Sequence, residues 1–318
     1  MSFASSVKDD LCRISTAKSC CKKAELSAFF LLNGSLRLGL KNSVALSMQT
    51  EHGGTARRIF SLAKEVYDMQ SEIIVHRKDK LKKNQVYSLV MPHQEGVERA
   101  LSELGFSPED IWKPDFTMLP KEHIWKNNCC KRALLRGAFL ASGSVSDPQS
   151  GYHLEIVCNN PHQAEFLNMI FAELELKGGV VARKQSYVLY LKESDQIITF
   201  LTLIGAHRTM MDFENVRIGK EIRNNVQRIL NAENANIDKT VAAAQRQCDA
   251  IRKIEERTGL SKLSPALRQT AEMRLEYPEA PLQELSALLG IGKSGVNHRL
   301  RKLIEIAEMC EEGMEENI

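Results

Sequence analysis

Two periodicities alternate along the first two thirds of this 318-residue chain. Residues 4 to 17 read as a short leading helix. From about 21 to 33 the chain is apolar around most of a helical circumference, above all from Leu26 to Leu32, and a helix apolar all round is buried. Residues 35 to 40 and 44 to 49 alternate apolar and polar around Lys41-Asn42-Ser43, the pattern of a hairpin with one exposed face. Residues 55 to 67 return to helical spacing, with Ile59, Leu62, Ala63 and Val66 on one side. A second hairpin follows at 71 to 76 and 85 to 91, and a helix over 94 to 104 ends at Gly105.

After a stretch carrying Pro108, Pro114 and Pro120 with Trp112 and Trp125, the same plan starts again. A helix is predicted over 130 to 142, a strand over 152 to 158, and a helix from Pro161 to about Leu176. A hairpin is predicted at 180 to 183 and 187 to 192, and a helix capped by Ser194 runs to about Ile204. The order α-β-β-α-β-β-α thus occurs twice, and agreement between two halves supports both. The opening helices repeat in sequence as well. Cys20-Cys21-Lys22-Lys23-Ala24-Glu25-Leu26-Ser27-Ala28-Phe29-Phe30-Leu31-Leu32-Asn33-Gly34-Ser35 returns 109 residues later as Cys129-Cys130-Lys131-Arg132-Ala133-Leu134-Leu135-Arg136-Gly137-Ala138-Phe139-Leu140-Ala141-Ser142-Gly143-Ser144. A period that long marks a duplicated half-domain rather than a solenoid. The equivalent small residues Ala28 and Gly137 would let the two helices approach closely across a pseudo-two-fold axis. The terminal glycines supply either a left-handed or a close-packed backbone.

Residues 206 to 259 read as a polar helical linker. Arg208, Arg217, Lys220, Arg223 and Arg228 lie along it with Asn224, Asn225, Asn231, Asn234 and Asn236, an unusual density for a poor helix former. A solvated connector and a polar surface facing DNA both fit. Beyond it, Ser264-Pro265 signals a helix to about Tyr277, stopped by Pro278. Pro281 opens a second helix with Leu282, Leu285, Leu288 and Leu289 facing inward. Gly290-Ile291-Gly292 makes a turn, and a third helix runs from about Lys293 with Val296, Leu300 and Leu303 buried. Three helices with a glycine turn before the last match a helix-turn-helix, though a protein-interaction module has the same outline. In a helix-turn-helix the last helix enters the major groove. The candidate DNA-binding residues are Lys293, Ser294, Asn297, His298, Arg299, Arg301 and Lys302. Residues 293 to 303 hold four Lys or Arg and no acid, and Asn and Arg can bond adenine and guanine bidentately.

Composition changes this picture little. The net charge of +3 argues for nucleic acid only through such local clustering. One further cluster is 76 to 83, where Arg77, Lys78, Lys80, Lys82 and Lys83 sit at a predicted hairpin tip; they join Arg217, Lys220 and Arg223 as candidate phosphate contacts. A solvated turn is the simpler account of that run. No stretch reaches the ~18 to 20 apolar residues of a membrane span. The opening residues lack a signal-peptide pattern, so a cytoplasmic protein is expected, with no membrane partner. The eight cysteines read as reduced thiols. Cys20-Cys21 and Cys129-Cys130 are adjacent pairs, whereas zinc ligands are usually spaced C-x₂₋₄-C, so neither metal nor cofactor is expected.

The paired repeat helices resemble the LAGLIDADG homing-endonuclease fold, in which two central helices each lead into a curved sheet that straddles DNA. That resemblance implies an α+β, duplicated αββαββα saddle over residues 1–205, with halves at about 1–105 and 126–205. The polar linker at 206–259 and an all-α helix-turn-helix domain at 260–318 complete the chain. The motif's metal-binding acid positions are Asn33 and Ser142, and its other acidic position is Leu31 or Leu140, so no catalytic residue is expected. Divalent-metal cleavage needs carboxylates that an amide and a hydroxyl cannot replace. Asp147 lies nearby, but in a Ser-Asp-Pro turn signal.

The degenerate double repeat followed by a helix-turn-helix resembles the bacterial WhiA family over nearly the whole chain. Ser2-Phe3-Ala4-Ser5, both Cys-Cys helices, residues 217 to 236 and the run from Lys293 to Lys302 carry the resemblance; the loop between Leu289 and Lys293 is short for the family. The resemblance implies a non-catalytic protein that binds double-stranded DNA, with other regulatory proteins as further partners. It also implies association with the nucleoid and a role in cell division, chromosome segregation or transcription regulation of sporulation septation. Two rival readings fit the same residues, an active endonuclease using other acids and a saddle that senses a protein or ligand instead of touching DNA.

Overall fold

The computed structural model describes residues 2–38, 43–77, 85–105 and 118–311. The first half runs α1 (Phe3–Cys12), α2 (Ser19–Asn33), β1 (Ser35–Leu38), β2 (Val44–Thr50), α3 (Gly53–Tyr67), β3 (Glu72–Arg77), β4 (Gln85–Met91) and α4 (Glu95–Glu103). A four-residue helix, α5 (Glu122–Trp125), precedes the second half: α6 (Asn128–Ser142), β5 (Gly143–Val145), β6 (Leu154–Cys158), α7 (Pro161–Glu173), β7 (Gly179–Arg183), β8 (Ser186–Leu191) and α8 (Ser194–Ile204). Each half forms one antiparallel sheet, ordered β1-β2-β4-β3 and β5-β6-β8-β7. The duplicated plan expected from the sequence is therefore present, with the same crossover in both sheets. Then come α9 (His207–Arg257), α10 (Pro265–Glu276), α11 (Leu282–Leu289) and α12 (Lys293–Glu311).

The chain divides into two compact units, Met1–Lys220 and Glu221–Ile318. The 206 to 259 stretch, read from sequence as a linker, lies within the single helix α9 apart from its ends, and α9 contributes to the core of each unit. Phe213 is fully buried in the first unit against Phe3 and Tyr152. Ala250, Ile251 and Ile254 enter the core of the second.

In the first unit α2 and α6 pack against each other at the centre, buried over most of their length. Gly137 makes the approach possible: a Cβ there would stand 2.2 Å from the Glu25 carbonyl oxygen and 3.0 Å from the Ala28 Cβ. Gly34 and Gly143 end the two helices with φ of −70° and −78°, so their role is close packing and not a left-handed turn. The Leu154, Ile156 and Cys158 face of β6 and the Leu46 and Met48 face of β2 close the core beside the helices. Ser194 is the first residue of α8, and the cap position is Glu193, which makes no side-chain bond. Trp125 packs edge-on to Phe166 at 5.6 Å and donates to the Pro120 carbonyl at 3.0 Å. Trp112, Pro108 and Pro114 lie outside the described residues.

Glu25 is fully buried at the α2–α6 crossing, between Arg58 of α3 and Arg136 of α6. Arg58 binds both carboxylate oxygens, with Nη2 2.9 Å from Oε2, and Arg136 donates through Nε to the same Oε2 at 2.9 Å. The remaining guanidinium donors are also used. Arg58 Nη1 reaches the Ile14 carbonyl at 2.8 Å, Arg136 Nη1 reaches the Ile204 carbonyl at 3.2 Å, and both Nη2 groups meet Thr16 Oγ1 at 3.3 Å. A buried ion group costs several kcal/mol to desolvate unless it is paired and bonded, so the trio is stable only as a set. Glu25→Gln leaves two buried cations short of their counter-charge. It is expected to lower the unfolding free energy by about 3–5 kcal/mol, read as a lower denaturation midpoint of the full-length chain.

Candidate nucleic-acid interface

The second unit builds its site from the turn between α11 and α12. Gly290 ends α11 at φ +63°, a conformation costly for any residue with a Cβ. It sets up a double closure in which the Gly290 N–H reaches the Ala287 carbonyl at 3.4 Å and the Ile291 N–H reaches Ser286 at 3.2 Å. The Ser286 hydroxyl donates to the Ile291 carbonyl across the turn. The Gly292 carbonyl then accepts from Gly295 and Val296 N–H groups at 2.8 and 3.1 Å, which starts α12. Arg274 of α10 is almost fully buried and donates through Nη1 to the Ala280 carbonyl at 2.7 Å, holding the α10–α11 connection. Burial is the largest influence on it and pulls its pKa below the usual value. Leu285 and Leu289 face the core as expected. Leu288 does not: it is 44% exposed, because α11 is only two turns long and packs along one face.

Val296, Leu300 and Leu303 are buried, and at about 100° per residue this fixes what the rest of α12 presents. Ser294, His298, Arg301 and Lys302 are exposed on the opposite face and Asn297 is half-buried at its edge, while Lys293, the first residue of α12, is exposed nearer the buried stripe. Arg299 falls to the side of the buried stripe. Its Nη1 lies 3.4 Å from both the Ala266 carbonyl and Thr270 Oγ1, against the start of α10. The structure thus brings four of the seven candidates together on one face with Asn297 at its edge, leaves Lys293 exposed at the helix start, and turns Arg299 toward its own domain. Lys302 also stands 3.7 Å from Glu305, an exposed pair of small energetic weight.

The candidate phosphate contacts divide similarly. Arg217 bridges Asp195 at 2.7 Å and Glu214 at 2.6 Å, and Lys220 stands over the Tyr152 ring at 5.3 Å. Both are occupied within the first unit, whereas Arg223 is exposed on α9. The backbone of Arg77 ends β3; its side chain and Lys78, Lys80, Lys82 and Lys83 lie outside the described residues.

At the motif positions of the first unit, side chains stitch elements together. Asn33 donates to the Ala141 carbonyl at 3.0 Å and to Gln49 at 3.3 Å, and the Ser142 hydroxyl donates to the Val157 carbonyl at 2.7 Å. Asn159 and Gln163, which sequence reading did not single out, close the last carbonyls of α2 at Leu32 and Leu31, both at 2.8 Å. Asp147 accepts the Gln149 N–H at 2.8 Å, the turn bond expected of it. The Glu25 trio also went unread, although Arg136 is the lone charge inside its apolar run and Glu25 adjoins the other.

A duplicated αββαββα domain continued in sequence by a helix-turn-helix defines a narrow class. Family models match in the same order: a WhiA N-terminal LAGLIDADG-like domain over residues 19–107, a WhiA LAGLIDADG-like domain over 131–223, and a WhiA C-terminal HTH domain over 226–307. The chain belongs to the WhiA family. It is 44% identical to the "Probable cell division protein WhiA" of Alkaliphilus metalliredigens, covering 97% of this chain and 98% of that one. The protein of the same name from Heliobacterium modesticaldum is also 44% identical, over 97% and 96% of the two chains. The full-length DUF199/WhiA structure from Thermatoga maritima has the same fold, with a TM-score of 0.61 at 24% identity and 97% and 98% coverage. No helix among the described residues is long and apolar enough to cross a membrane.

Gly290→Ala places a Cβ on the left-handed turn that aims α12. It is expected to lower the stability of the second unit by about 1–2 kcal/mol, visible as an earlier thermal transition of the full-length chain.

Proposed function

We propose that this chain is a DNA-binding protein of bacterial cell division that reads the major groove with α12 and cleaves nothing. One observation carries the reading. The solvent face of α12 gathers Arg301 and Lys302 with Ser294, Asn297 and His298, Lys293 opens the same helix, and residues 293 to 303 carry no acid. Phosphates are met by the cations and base edges by the short polar side chains at the helix start. Asn297 is the first choice as a base reader, since an amide can both donate to and accept from adenine. Arg299 supports the domain through α10 rather than reaching for DNA. The curated relatives' name supplies the division role, and chromosome segregation or control of sporulation genes would be its finer form, exerted at the nucleoid.

The absence of cleavage rests on Asn33 and Ser142. Both stand where a homing endonuclease of this fold keeps acids, and both side chains are spent on backbone carbonyls. Neither can carry the negative charge that holds a divalent metal for in-line attack.

The combined change Arg301→Ala and Lys302→Ala is expected to weaken DNA binding. It should also flatten the slope of log affinity against log salt by about one for each phosphate no longer neutralised, roughly two in all. Fluorescence anisotropy with a duplex fragment across a salt series reads both quantities. An unchanged slope would remove these side chains from the interface, and Mg²⁺-dependent nicking that follows the pure protein would overturn the non-catalytic reading.

A further inference from the structure

The four repeat cysteines meet. Cys20 and Cys21 lie in the first turn of α2, and Cys129 and Cys130 in the first turn of α6. Their Sγ atoms all lie within 4.8 Å of one another. Adjacent residues on a single helix point about 100° apart, which is why the sequence spoke against a shared ligand. The crossing of the two helices supplies what one helix lacks. The thiols of one pair lie against those of the other, and Cys129 and Cys130 Sγ stand 3.9 Å apart.

A Zn–S bond of about 2.3 Å in a tetrahedral site puts neighbouring sulfurs about 3.8 Å apart. The quartet is thus within about 1 Å of closing on a single ion, an adjustment that cysteine rotamers can make. The sulfurs are too close to enclose an iron–sulfur cluster, whose irons and sulfides push the thiolates outward. Four thiolates select soft or borderline cations over Mg²⁺ or Ca²⁺. Cationic groups lie close to where the charge of such a site would sit. Both cysteine pairs sit at helix N-termini, where thiolates are stabilised. Lys18 and Arg132 line the shallow cavity of about 380 Å³ that also touches Cys21 and Cys129. Cys21 and Cys130 are buried, and Cys20 is exposed, which leaves an entry path.

We infer that Cys20, Cys21, Cys129 and Cys130 bind one Zn²⁺-class ion as a closed tetrathiolate that staples the two halves of the first unit together. Binding releases thiol protons to solvent and involves no change of oxidation state. The ion ties the N-terminal ends of α2 and α6, about three helical turns from the motif ends at Asn33 and Ser142, so its role is structural.

The test uses the full-length chain without a polyhistidine tag, prepared in reducing, chelator-free buffer. Elemental analysis should find one zinc per chain, released by a mercurial reagent. Cobalt substitution of the wild-type chain should give the thiolate charge-transfer and tetrahedral d–d bands of a four-sulfur site. Cys20→Ser with Cys129→Ser should abolish both signals. If that variant fails to fold, the cobalt spectrum of the wild type still decides. Reduced wild-type protein that takes up neither zinc nor cobalt, metal that persists in a folded double variant, or a cobalt spectrum without thiolate bands would each overturn the inference.

Discussion

A single buried carboxylate holds the first unit to one arrangement. Glu25 has no solvent access, and its two oxygens are shared by guanidinium groups from α3 and α6. Those guanidinium groups in turn take up backbone carbonyls at Ile14 and Ile204. A slip of α6 along α2 would strand charge in an apolar interior, at a cost that no repacking of leucines would recover. The trio also breaks the pseudo-symmetry of the duplication. The repeat equivalent of Glu25 is Leu134, and that of Arg136 is Ser27. Two similar halves thus carry a polarity that lets them pair in only one sense.

With that crossing fixed, the far ends of α2 and α6 are fixed too, and the side chains there bond to neighbouring backbone. Asn33 reaches from one half into the end of the other half's helix, and Asn159 and Gln163 return the contact onto α2. Helix ends leave carbonyls unsatisfied, and here side chains of the opposite half meet them. An amide serves that purpose because it donates, whereas a carboxylate could only repel the same carbonyl oxygens.

Much of the fold was legible because it is written in periodicity. The switch between helical and alternating patterns appears twice, and the repeat of the Cys-Cys helices set the two halves in register with Ala28 opposite Gly137. What escaped depends on side chains from distant segments. Leu288 matched the apolar spacing of α11, yet two turns of helix bury one face and leave it outside. Arg299 belongs by composition to the basic run, but its angle on α12 carries it to α10. Arg217 read as one of several candidate phosphate contacts and is held by Asp195, 22 residues away. The convergence of two adjacent-cysteine pairs needed the helix crossing itself, which spacing along one strand of sequence does not encode.

The second unit turns on Gly290, which lets the chain reverse sharply enough to bury Val296 and Leu300 and so to expose the opposite, basic face of α12. Whether that face meets DNA is open to direct observation. A photo-crosslinking side chain placed at His298, near the start of the exposed face, should join to a duplex fragment in a salt-sensitive manner, while the same group at Glu308, further along α12, should join weakly or not at all. Equal crosslinking at both positions, or none at His298 while the full-length chain remains bound to the duplex, would contradict the assignment of α12 as the reading helix.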